Sequence, residues 1–149
     1  MKKALEFTTA SAEETIACGR EMAKLLTPPR LLILRGELGA GKTTLVKGIA
    51  EGLDAAEAEE VTSPTFTLIH EYDGSLGASA VRLYHLDLYR IESERELAGL
   101  GLEDLAGADC VVLVEWGEKF ASLVERSEGE IVIEAAEGDS RRIALRMKE

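Results

Sequence analysis

The expected fold turns on Gly36-Glu37-Leu38-Gly39-Ala40-Gly41-Lys42-Thr43. It fits the pattern G-x-x-x-x-G-K-S/T, the phosphate-binding P-loop. The glycines let the backbone curl with its N–H groups pointing inward, a nest for the α- and β-phosphates of a nucleotide. Lys42 reaches the β- and γ-phosphates as a point charge, and the Thr43 hydroxyl is suited to ligate Mg²⁺. Thr44 follows directly, and a helix opening here adds its positive N-terminal dipole to the same anion.

The flanks agree with the loop. Leu31-Leu32-Ile33-Leu34 is a short apolar run that reads as a buried strand and feeds straight into it. From Thr44 to Ala50 the spacing is helical, and Gly52 ends the helix. Upstream, Ser11-Ala12-Glu13-Glu14 has capping-box form and opens a helix to about Leu26, which Thr27-Pro28-Pro29 stops. Downstream, Val61 to His70 starts irregular at Pro64 and becomes strand-like. Asp73-Gly74 reads as a turn, and Ala80 to Leu88 as a second strand, antiparallel to the one before it. Two short helical pieces are expected between Glu92 and Leu105, with Ser93-Glu94-Arg95-Glu96 as a second capping box. A buried strand follows in Asp109 to Trp116, then a short helix from Glu118 to Arg126. Ile131-Val132-Ile133 and Ile143-Ala144-Leu145 pair as a hairpin around Gly138-Asp139. The fold expected is α/β: a single P-loop NTPase domain over residues 1–149, with a mixed, mostly parallel sheet, flanking helices and a C-terminal hairpin.

Composition narrows the function. The 149 residues are 46% hydrophobic and 30% charged, ordinary for a globular domain able to bury a core. The apolar runs are too short to span a membrane, and Met1-Lys2-Lys3-Ala4-Leu5-Glu6 lacks the apolar core of a secretory signal. Cys18 and Cys110 sit far apart among apolar residues and read as reduced core thiols, with a disulfide as the alternative, so a cytoplasmic protein is expected. A net charge of −11 argues against this chain gripping nucleic acid by itself, since that grip needs Lys and Arg on phosphates. Acidity that serves only solubility explains the charge as well.

A nucleotide hydrolase also needs an acid for Mg²⁺ and a group that orients water. Val111-Val112-Leu113-Val114 ends in Glu115, at the strand end where a Walker-B-type acid sits. Glu115 is therefore the candidate to orient the attacking water or to ligate Mg²⁺. Asp87 is the second acid, in Tyr84-His85-Leu86-Asp87-Leu88-Tyr89-Arg90, where alternation puts His85, Asp87 and Tyr89 on one face. His85 reads either as a hydrogen-bonded structural histidine or as a base. In Ser63-Pro64-Thr65-Phe66, Thr65 is the hydroxyl placed to sense the γ-phosphate, against the plainer reading of a Pro-initiated turn. Trp116 stands beside the acid, to stack or simply to pack. No Asn/Thr-Lys-x-Asp element signals guanine, and Asp104-Leu105-Ala106-Gly107 follows a helical piece rather than a strand, so ATP is the expected nucleotide.

With these residues in view the chain resembles the TsaE family, formerly YjeE, the small bacterial ATPases of tRNA threonylcarbamoyladenosine synthesis. The anchors are the P-loop through Thr44, Ser63-Pro64-Thr65-Phe66-Thr67-Leu68, His85-Leu86-Asp87-Leu88-Tyr89-Arg90 and Val114-Glu115-Trp116. The resemblance implies an ATPase acting with the TsaD and TsaB proteins, with tRNA met only through that complex, and with hydrolysis resetting it for further cycles. It implies Thr43, Asp87 and Glu115 at Mg²⁺ and water, and Ser11, Thr15 and Arg141 bordering the adenine. Two rivals stay open from the residues alone: a small-molecule kinase, for which Arg141, Arg142 and Arg146 would be the late arginines, and a nucleotide-dependent binding module with negligible hydrolysis.

Overall fold

The computed structural model describes residues 3–37, 40–64, 68–105 and 107–148. Seven strands form one sheet: β1 (Lys3–Thr9), β2 (Arg30–Arg35), β3 (Ile69–Leu76), β4 (Ser79–Asp87), β5 (Cys110–Glu115), β6 (Gly129–Ala135) and β7 (Arg141–Met147). Their spatial order is β1-β7-β6-β2-β5-β4-β3. The four central strands β6, β2, β5 and β4 run parallel. Antiparallel pairs close the sheet on either side, β3 on β4 and the β1-β7-β6 meander. A sheet parallel at its centre and antiparallel at its edges meets the expectation of a mixed sheet with a C-terminal hairpin.

Burial explains why the centre is parallel. All six residues of β5 are buried, and such continuous apolar runs belong where both faces are covered. Helices α1 (Ala12–Ala23) and α2 (Lys42–Gly52) cover one face, with Met22, Leu26, Leu45 and Ile49 packed on Leu32, Leu34, Leu113 and Ile131. Short helices cover part of the other face: α3 (Glu94–Ala98), α4 (Ala121–Arg126) and a 3₁₀ turn at Leu102–Leu105. Their Leu97, Leu102 and Leu123 pack on Leu86, Val112 and Val114. Leu113 and Val114 therefore serve opposite cores, as the two-residue strand period requires.

Caps set the helix starts. Ser11 Oγ accepts from the N–H of Glu14 at 3.1 Å, and Glu14 Oε1 reaches back to the N–H of Ala10 at 3.0 Å. Ser93 likewise accepts from Glu96 N–H at 3.1 Å. Helix α2 differs. It is headed by Gly41 in the left-handed region (φ 102°), has no side-chain cap, and carries no acid in its first turn. Its orphan N–H groups and positive dipole end are left available for an anion.

Two local readings are corrected. Asp73-Gly74 lies inside β3, not in a turn. Gly74 is needed because the chain from Leu53 crosses it: a Cβ there would sit 2.2 Å from Leu53 O. The hairpin turn is at Gly77, with φ +63° and open space around it. The second difference is β1, to which the reading gave no element. It pairs with β7 through Leu5↔Leu145 and Phe7↔Ile143. Among the described residues no helix is long and apolar enough to cross a membrane.

Candidate active site

The site forms where the carboxyl ends of β2, β5 and β4 lie side by side. In the ladder Leu34 stands opposite Glu115, and Glu115 opposite Asp87. Placing β5 between the other two strands sets Glu115 beside the P-loop that leaves β2 and Asp87 one strand further out. The open end of a parallel sheet is where such folds bind ligands.

Lys42 is almost fully buried, and a buried ammonium requires compensation. Its Nζ donates to Gly36 O at 2.6 Å, lies 3.4 Å from Glu115 Oε1, and stands 4.9 Å from the centre of the Trp116 ring. Glu115 is equally buried and also accepts from His85 Nε2 at 2.5 Å. Burial pushes its carboxyl up. The hydrogen bond and charge of His85, then the charge and hydrogen bond of Lys42, outweigh that and hold it below the usual carboxylate range. His85 is fully buried, and its Nδ1 has no partner among the described residues. The structural reading of His85 thus describes its geometry: a hydrogen-bonded histidine that orients the acid.

Asp87 ends β4 and is buried. Its Oδ1 accepts from the N–H of Tyr89 at 2.9 Å, which fixes the carboxylate at the start of the next turn. The strand alternation holds through Asp87 and stops there. Tyr89 is 60% exposed and lies against Trp116, ring centres 5.2 Å apart. Trp116 adopts φ +65°, an uncommon conformation for a side chain of this bulk and one often stored at functional sites.

Around the loop, Glu37 is exposed and Ala40 is buried. The candidate nucleotide-binding positions Leu38 and Gly39, and the candidate sensor Thr65, lie outside the described residues. Thr43 is the second residue of α2, half-buried at its head. Ser11, Thr15, Gly41, Thr44, Asp139 and Arg141 line a pocket of about 260 Å³ on the α1 side of the loop, so the weaker candidates Ser11 and Arg141 do meet there. Arg141 also bonds backbone: Nε donates to Ala40 O at 2.8 Å, and Nη1 to Ser140 O at 2.8 Å and Gly138 O at 3.2 Å.

One residue escaped the sequence reading. Lys119, in the 3₁₀ turn Gly117–Lys119, donates to three carbonyls, Leu88 O at 3.2 Å, Tyr89 O at 2.9 Å and Ile91 O at 2.8 Å. Every ammonium proton is used. Lys119 ties the turn after Asp87 to the turn after Glu115. Nothing local in Trp116-Gly117-Glu118-Lys119 marks it, because its partners are about thirty residues away.

A Gly-rich loop between a buried strand and an uncapped helix, with acids at the ends of adjacent parallel strands, makes this a P-loop NTPase fold. Comparison narrows it. Residues 9–143 match the family described as "Threonylcarbamoyl adenosine biosynthesis protein TsaE". The chain is 41% identical over 143 residues to the tRNA threonylcarbamoyladenosine biosynthesis protein TsaE of Bacillus subtilis strain 168, covering 96% of this chain and 85% of that one. It is 42% identical over 123 residues to the TsaE protein of Streptomyces coelicolor, covering 82% and 80%. A crystal structure of Bacillus subtilis YdiB superimposes with a TM-score of 0.69 at 36% identity, over 99% of this chain and 87% of that one. The chain belongs to the TsaE family.

Proposed function

We propose that this protein is a Mg²⁺-dependent ATPase that supports threonylcarbamoyladenosine formation in tRNA, working with TsaD and TsaB and meeting tRNA through their complex. The observation that carries the reading is Lys42, at the head of α2, lying 3.4 Å from Glu115 at the end of β5, with Asp87 opposite Glu115 at the end of β4. Family membership supports the pathway, since the family and its relatives are named for tRNA threonylcarbamoyladenosine biosynthesis.

The donor set fits both ligands. A Cβ at Gly36 would lie 2.7 Å from Ile133 O, so the loop's first position accepts only glycine and the backbone itself forms the cradle. The backbone N–H groups at the head of α2 and the Lys42 ammonium hold phosphate. The Thr43 hydroxyl and the Asp87 carboxylate are hard oxygen donors for Mg²⁺, directly or through water. Among the described residues no group of three or more His, Cys, Asp and Glu side chains could cage a metal, and Mg²⁺ needs no such cage when substrate phosphates complete its shell. When bound, the ion neutralises charge on the β- and γ-phosphates.

Glu115 orients the attacking water. Kept ionised by Lys42 and His85, it accepts the water's hydrogen bond as the in-line nucleophile approaches. Its His85 bond fixes which carboxylate oxygen faces the site. Lys42 stabilises charge on the transferring group, and Thr65 senses the γ-phosphate. Ser11 and Arg141 border the nucleoside side of the loop, where the 260 Å³ pocket lies.

The test is ATP hydrolysis by the pure protein, alone and with a TsaB–TsaD complex. Weak turnover that rises strongly with the complex is the expected result. No rise would remove the pathway partners from the proposal. Transfer of the γ-phosphate to a metabolite rather than to water would identify a kinase instead.

A further inference from the structure

We infer that Arg141 is a positioning residue for the phosphate loop, bracing its backbone from the C-terminal hairpin. The inference rests on the phosphate-binding reading above. A nest that turns its N–H groups inward turns carbonyls outward, and each needs a donor. Among the described residues two loop carbonyls take cationic donors, Gly36 O from Lys42 and Ala40 O from Arg141. Ala40 immediately precedes Gly41, whose φ of 102° is a conformation that an unanchored chain would leave readily.

The brace has a rigid base. Arg141 opens β7 opposite Ala135, and its Nη1 grips Ser140 O and Gly138 O in the hairpin turn. The same hairpin supplies Ile133, whose O would lie 2.7 Å from a Cβ at Gly36 and whose Cδ1 would lie 3.4 Å from one at Gly41. The loop is thus held at both ends by β6 and β7. Two of the three guanidinium nitrogens, Nε and Nη1, are committed to three backbone carbonyls. A lysine would keep the charge but lose the fork.

The experiment is isothermal titration of ATP, GTP and inorganic tripolyphosphate into the wild type, Arg141→Gln and Arg141→Lys, with melting temperatures measured alongside. A brace predicts that Arg141→Gln weakens all three ligands by a common factor of about tenfold, the loss of one charge-assisted hydrogen bond. The ratio of ATP to GTP affinity stays at the wild-type value, and Arg141→Lys recovers only part of the loss. A loss confined to ATP with tripolyphosphate unchanged would overturn the inference in favour of a base contact. So would a lowered melting temperature with every affinity intact, which is a merely structural role. If Arg141→Gln does not fold, Arg141→Lys is judged on the same three ligands. A wild type that binds neither ATP nor tripolyphosphate refutes the phosphate-binding reading itself, so the two failures are told apart.

Discussion

Replacing Gly48 by alanine puts a methyl carbon 2.0 Å from Ile16 O and 2.8 Å from Ile16 C, both backbone atoms of the facing helix. No side-chain rotation relieves that contact, so α1 and α2 must separate by more than 1 Å on the order of van der Waals contact distances. The separation spreads to Cys18, Met22, Leu45 and Ile49, which fill the seam. Overpacking of this kind costs about 1–3 kcal/mol, and a backbone clash this close belongs at the upper end. Alanine's helix propensity returns about 1 kcal/mol relative to glycine. The net loss is about 2 kcal/mol, or roughly 4–8 °C in melting temperature for a chain of this size. Thermal unfolding followed by circular dichroism measures it. Gly99→Ala is the control, because Gly99 has φ −71° and its nearest neighbour lies 3.4 Å away. The control should move by less than about 0.5 kcal/mol. A Gly48→Ala melt equal to or above wild type would refute the close-packed helix pair.

Other expectations concern the site. Lys42→Ala should abolish nucleotide binding or turnover, whereas Glu115→Ala should keep ATP binding and lose roughly 100-fold in turnover; unchanged turnover in the second variant removes Glu115 from catalysis. Because the folded Glu115 carboxyl titrates below its ordinary value of 4.5, its contribution to stability is fully present above that value and is lost as pH falls through the folded pKa. Urea melts between about pH 6 and pH 3 should therefore fall less steeply in Glu115→Gln than in wild type, and equal slopes would contradict the assigned pairing. Lys119→Met removes three bonds to the turn after Asp87, so the Tyr89 amide should exchange with solvent about tenfold faster. Unchanged exchange there would mean that the ammonium does not hold the turn.

Much of the fold was legible because its signals are local. The P-loop is eight contiguous residues whose glycine and lysine positions follow from backbone geometry, and the strand before it and the helix after it show their own periods. The same holds for the Ser11 and Ser93 caps and for the β6–β7 hairpin, each set by residues a few positions apart. Glu115 and Asp87 were legible as acids at strand ends, but not as neighbours. Asp73-Gly74 misled because a glycine demanded by a crossing chain looks in sequence like a glycine demanded by a turn. The strand β1 was missed although Leu5 and Phe7 alternate with Glu6 and Thr8, since a half-exposed edge strand carries only a weak pattern.

The loop residues alone specify the P-loop class of fold, since a Gly-rich turn with a helix and a lysine directly after it needs only short-range backbone geometry. Which distant groups stand beside that loop is set by packing. Strand order placed β5 between β2 and β4, so that Lys42, Glu115, His85 and Asp87 share one end of the sheet. It also brought Arg141 onto Ala40 across 101 positions and Lys119 onto the turn after Asp87. Those contacts depend on register and on which strands are neighbours, and these are fixed only when both faces of the sheet are buried together.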